Sequence, residues 1–230
     1  TLWYRRVHEH FKLILMTDPP PASSSKKART SPTAARSAKA VAFVKAILED
    51  LAPSSRPDLI HGVLKNVPDP YSGVSRNVVI RESDHDFWTF LLKQLAQVNG
   101  RKRVAAVGTP GVGKSTTAAY AIRGLLQAGK TVVYLHRTVD ASGYYVHFSP
   151  PEDEEGQVEI ELIPERTSPS DIASLSDPDT YYVVDPGKTK TSCDPPHLVI
   201  CRVIIVASPD ERHWGESNFT KNDQAGLGGF

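Results

Sequence analysis

Two cysteines in 230 residues, Cys193 and Cys201, exclude a disulfide framework and point to a reducing compartment. Both are expected to be idle thiols, with a Cys193–Cys201 pair as the alternative. No run approaches the ~20 apolar residues that cross a bilayer, so no membrane partner is expected. Excess charge is missing too. The 27 basic and 26 acidic residues leave a formal charge of +1, with no global pull toward nucleic acid or a membrane surface. His136, His147, His197 and His213 lack C-x-x-C or H-E-x-x-H partners, so no metal site is built on them. No serine stands in G-x-S-x-G, and no N-K-x-D element is present to read guanine. What is there is an apolar fraction of 40%, enough for one substantial α/β domain.

The chain opens on Thr1 and its single methionine is Met16, so a fragment, or a true start at Met16, is expected. Residues 17–35, rich in Pro, Ser and Ala, cannot bury enough apolar surface to offset their ordering entropy, and residues 1–35 are assigned to a disordered or mis-annotated basic segment. Lys26, Lys27 and Arg29 would suit a nuclear address or a plain linker. In 36–74, Ala40, Phe43, Val44, Ile47, Leu48 and Leu51 recur at helical spacing, and such a helix packs on a partner or on the main domain. Residues 54–77 read as a connector. The main domain is expected over 75–220. A short strand at 78–80 leads to a helix with Ser83 as N-cap and Phe87, Leu91, Leu95 and Val98 on one face. Strands follow at 103–107, 131–137, 179–185 and within 198–208, with a hairpin from 144–149 and 157–163. Near-continuous apolar strands belong in a buried parallel sheet. The tail 221–230 is polar and glycine-rich, and further C-terminal sequence is expected.

Residues 108–116 read GTPGVGKST, between the apolar run RVAAV and a helix-like run that stops at Gly129. The stretch satisfies G-x-x-x-x-G-K-[ST] at each defined position. Gly108, Gly111 and Gly113 allow backbone conformations that side chains obstruct, so successive amides can turn inward and cup an anion. The following helix adds the positive end of its dipole. Gly108, Thr109, Pro110, Gly111, Val112, Gly113, Lys114, Ser115 and Thr116 therefore form the expected triphosphate cradle. Lys114 supplies a mobile charge for the β- and γ-phosphates, and Ser115 offers a hydroxyl to Mg²⁺. ATP and Mg²⁺ are the expected ligands. Asp185 ends the run TYYVVD, where a P-loop protein places its Mg²⁺ acid. It would equally serve as a strand-end aspartate opening the turn Asp185-Pro186-Gly187. Ser208 ends IIVAS and suits either a γ-phosphate sensor or a simple strand-terminal turn. Lys114, Asp185 and Ser208 are the candidate catalytic residues; Ser115 and Asp185 are the candidate metal ligands.

The pieces in order, VVIRESDHDFWTFLL, RVAAVGTPGVGKST, the hairpin, YYVVDPG and VIIVASPDERHWGESNF, resemble the P-loop region of retrotransposon hot spot and Crinkler-type proteins over about residues 75–220. The resemblance implies a three-layer α/β P-loop NTPase with a mainly parallel central sheet, binding and hydrolysing ATP. It also implies a nucleotide contact or P-loop packing for Arg81, a C-terminal effector domain and, through the Crinkler relatives, secretion into a host. The expected site of action from the sequence alone is the cytoplasm or nucleus. Many ATPases with an added strand beside the P-loop strand carry a glutamate after the metal acid; here Pro186 stands there. That departure keeps open a nucleotide-gated module with little hydrolysis, and the abrupt ends of the sequence keep open a truncated, inactive copy of the gene family. Nucleic acid as a partner finds no support in the sequence.

Overall fold

The computed structural model describes residues 32–97, 103–107, 113–136, 143–151, 158–165, 167–185 and 200–207. Helix α1 (Pro32–Leu48) begins inside the segment assigned to disorder. The reason is local: Pro32 takes the first helical position, where its missing N–H is not needed, and alanines follow. Ala40, Phe43, Val44 and Ile47 form the buried stripe that the spacing predicts.

The expected connector 54–77 instead holds a full strand and the start of a second. β1 (Ile60–Pro68) pairs antiparallel with β2 (Ser75–Arg81). Two irregularities in register, one beside Asn66 at φ 50°, blur the period-two alternation. Pro53 and Pro57 precede the ladder and Pro68 ends β1, so the prolines bound the strand without breaking it.

Helix α2 (Glu82–Ala96) follows β2 without a loop. Its N-cap is Arg81, not Ser83. The Asp84 carboxylate accepts the Arg81 N–H at 3.0 Å and the Arg81 Nε–H at 2.8 Å, holding the first turn at both ends. Arg81 thus serves the start of α2. Trp88, Leu91 and Leu95 are buried on the inner face.

The remaining elements are β3 (Arg103–Val107), α3 (Lys114–Gln127), β4 (Val132–His136), β5 (Tyr144–Ser149), β6 (Glu159–Pro164), β7 (Tyr181–Asp185) and β8 (Arg202–Ala207). They form a six-stranded sheet in the order β3-β8-β7-β4-β5-β6. The first four strands are parallel, and β5 and β6 add an antiparallel hairpin. The apolar strands are continuous because both faces are covered. Alternate residues go to opposite sides: Val132, Tyr134, Tyr181, Val183, Ile204 and Val206 face the three helices and the β1–β2 hairpin. Val133, Leu135, Tyr182, Val184, Val203 and Ile205 join Ile172 and Leu175 on the other face. Among the described residues that second face is covered by two short 3₁₀ turns, Pro169–Asp171 and Ala173–Ser176, rather than by α-helices. The chain is therefore a mixed α/β fold around a mostly parallel sheet.

Candidate functional site

The period of two along a strand decides which polar residues meet. In β4, Val132 and Tyr134 face α3, so His136 does as well; in β7, Tyr181 and Val183 face α3, so Asp185 does. The parallel register sets His136 directly beside Asp185. Both residues end their strands, at the edge of the sheet where β3 also ends.

Helix α3 starts at this edge. Gly113 is its N-cap, at φ 91° in the left-handed region, and its carbonyl accepts the Thr117 N–H at 2.8 Å. Among the described residues nothing lies within 4 Å of where a Cβ would stand, and the positive φ is itself a conformation that favours glycine. Lys114, Ser115 and Thr116 make the first turn. Burial pulls the Lys114 ammonium below its ordinary pKa, and the negative charge of Asp185 opposes that shift. Asp185 is 2% exposed.

A third element reaches the site that the sequence did not announce. The turn between β1 and β2 carries Asp69, whose Oδ1 accepts the Tyr71 N–H (3.0 Å), the Ser72 N–H (2.7 Å) and the Ser72 hydroxyl (3.0 Å). Its Oδ2 faces His136 Nδ1 at 3.5 Å and Arg76 Nη2 at 3.6 Å. His136 Nε2 lies 4.0 Å from Asp185 Oδ2. Burial works to raise the Asp69 carboxyl, but His136 and the Ser72 donors outweigh it and hold Asp69 well below the usual carboxylate range. Burial likewise works against the charged imidazole, yet Asp69 and Asp185 together raise the His136 pKa. A cleft of ≈ 20 Å³, room for about one water, is lined by Asp69, Arg76, Ser115, Thr116, Tyr134 and His136 among others.

Of the residues singled out in the sequence, Gly113, Lys114, Ser115, Thr116 and Asp185 are described, and they gather at one edge of the sheet. Gly108, Thr109, Pro110, Gly111, Val112 and Ser208 lie outside the described residues. Asp69, Arg76 and His136 were missed. The run Pro68-Asp69-Pro70-Tyr71-Ser72-Gly73 reads as a turn and nothing more. The one available signal was that His136, like Asp185, is polar at the end of an apolar strand.

Among the described residues no three His, Cys, Asp or Glu side chains are grouped so as to hold a metal ion. Oxygen donors at this edge include the Ser115 hydroxyl and the Asp185 carboxylate, a donor type that suits Mg²⁺. Cys201 is buried and free, and burial pushes its thiol up to about 12, the idle state expected of it. Cys193 lies outside the described residues. No helix among the described residues is long and apolar enough to cross a membrane.

Set against protein-family models, curated proteins and solved structures, the chain matches none of them.

Proposed function

We propose that the chain is an ATP-binding P-loop NTPase module that works with Mg²⁺. The observation that carries this reading is the strand order. β8 runs parallel between β3, which leads into GTPGVGKST, and β7, which ends in Asp185. A strand interposed there brings the motif's helix and the strand-end acid to one edge of the sheet, with Lys114 and Asp185 within electrostatic reach of each other. The kinship with retrotransposon hot spot and Crinkler modules belongs to the same proposal and rests on the order of the sequence pieces.

In this reading the backbone amides before α3 and the α3 dipole hold the triphosphate. Lys114 neutralises the β- and γ-phosphates. Ser115 and Asp185 hold Mg²⁺, with water and phosphate oxygens completing the coordination, so a cluster of three protein acids is not required. When bound, the cation neutralises charge on the phosphate oxygens. Removing the Lys114 charge should lower ATP affinity at least tenfold, or ~1.4 kcal/mol. Titrating wild type and Lys114→Ala with ATP and Mg²⁺ by calorimetry checks this, and equal affinities refute the reading.

One observation favours a second form of the same proposal. Pro186 follows Asp185 where an acid would polarise the attacking water, which suits a nucleotide-gated switch. Tight ATP binding without phosphate release selects the switch; steady release selects the hydrolase.

A further inference from the structure

We propose that Asp69 and His136 form a relay that positions the Asp185 carboxylate for the divalent cation, making the β1–β2 turn a working part of the nucleotide site. This inference rests on the P-loop reading and adds to it three residues that lie outside the motif and its strand-end acid.

The geometry is a line of facing polar groups. Arg76 stands 3.6 Å from Asp69, Asp69 3.5 Å from His136, and His136 4.0 Å from Asp185. Each ring nitrogen faces a carboxylate oxygen. The line is held rigidly at its start. All three donors on Asp69 Oδ1 come from its own turn, which leaves Oδ2 directed at the imidazole. The His136 backbone is pinned as well: its N–H donates to the Tyr71 hydroxyl at 3.0 Å, and Tyr71 belongs to the same turn. The hairpin therefore holds the main chain of His136 and sets Asp69 against its side chain.

Asp185 needs such a support. It is buried at 2% exposure, within electrostatic reach of Lys114 and 4.0 Å from His136. A carboxylate that ligates a metal is turned and held by its outer neighbours, and loss of such a neighbour typically costs ~10–100-fold in metal affinity. At 4.0 Å the imidazole Nε2 stands beyond a short hydrogen bond, and it acts on Asp185 by setting the orientation of the carboxylate. His136 is accordingly a positioning residue: it acts on the cation through Asp185.

The test uses the full chain with Mn²⁺ and ADP as probes, Mn²⁺ binding being read by electron paramagnetic resonance. His136→Ala should weaken Mn²⁺ binding to the ADP complex about tenfold, while ADP affinity measured in EDTA stays at the wild-type value. His136→Gln, whose amide reaches the Nε2 position, should restore most of the loss. Asp69→Asn is an independent arm with the same split, and combining it with His136→Ala should add little, as for residues acting through one path. Wild-type Mn²⁺ affinity in folded His136→Ala or folded Asp69→Asn overturns the relay. Equal loss of metal-free ADP affinity also overturns it, since a general structural role would produce that. If wild type binds no nucleotide at all, the P-loop reading fails and the relay falls with it, an outcome distinct from the other two.

Discussion

Arg123 sits on the inner side of α3 at 5% exposure, where a charge is costly unless it is paired. Its guanidinium donates to the carbonyls of Ile47 and Glu49, at the end of α1. Arg202 does the same for α2: its Nε–H donates to the Leu95 carbonyl at 2.7 Å, while its charge lies over the Tyr181 ring and pairs with Asp179 at 2.8 Å. Helix ends leave carbonyls without intrahelical donors, and a cation there also meets the negative end of the dipole. Arg202 is thereby committed to the fold. Arg123→Met should destabilise the protein by about 3 kcal/mol, because charge-assisted bonds are lost and buried carbonyls are left bare. Arg123→Lys should recover only part, since a point charge does not span two carbonyls. Urea unfolding checks both, and an unchanged midpoint for Arg123→Met would remove the arginine from the account. Neither role could be read from the sequence, because capping arginines carry no local signature when the helix they serve is distant in the chain.

β1, and with it the β1–β2 hairpin, is the element that the sequence hid, and its turn carries Asp69 to the candidate site. Its turn is docked by a tyrosine pair. The Tyr71 hydroxyl lies 2.9 Å from the Tyr134 carbonyl and 3.1 Å from that of Tyr144, besides accepting the His136 N–H. The Tyr144 hydroxyl donates back to the Pro70 carbonyl at 2.8 Å. These bonds fix the hairpin on the end of β4 and β5, which puts Asp69 at His136. Tyr71→Phe keeps the packing but strips a buried hydroxyl from three backbone groups. It should cost about 2 kcal/mol, or about 4–8 °C in melting temperature for a chain of this size. Calorimetry gives the answer; a shift below a degree would mean the hairpin is held by packing alone. The strand signals of β3, β4, β7 and β8 were legible because two-sided burial demands unbroken apolar runs. Those of β1 were not, because a hairpin with bulges on a surface of helices keeps no clean alternation.

At the scale of the molecule, α1 and the hairpin are not appendages of a domain that begins near residue 75. Phe43 of α1 stacks on Tyr134 of β4 and Phe148 of β5, with ring centroids 6.3 and 6.1 Å apart. The same cluster takes in Val44, Ile47, Leu64, Val183 and Ile204. A fragment of residues 75–230 would open this face of the sheet to water, losing ~1.5–3 kcal/mol for each fully buried large side chain that is removed. It should bind a hydrophobic dye and melt without a cooperative transition, whereas the full chain melts sharply. A fragment with a sharp transition near that of the full chain would restore the boundary at 75. Such a division could not be read locally: the helical spacing of α1 shows that it has a buried face, and nothing in that spacing says against what.

By itself the sequence determined much of what short range controls, though not the start of α1 or the N-cap of α2. The G-x-x-x-x-G-K-[ST] motif between an apolar run and a helix, the parallel strands, the β5–β6 hairpin, and an acid at a strand end all follow from spacing, burial and backbone sterics within a few residues. Only the tertiary structure decided who stands beside whom. The order β3-β8-β7-β4 sets Asp185 level with His136, and a tyrosine 65 residues before His136 brings Asp69 to the same place. The physical reason is that side-chain period and turn chemistry are local, whereas strand order and docking are chosen by the packing of the whole core.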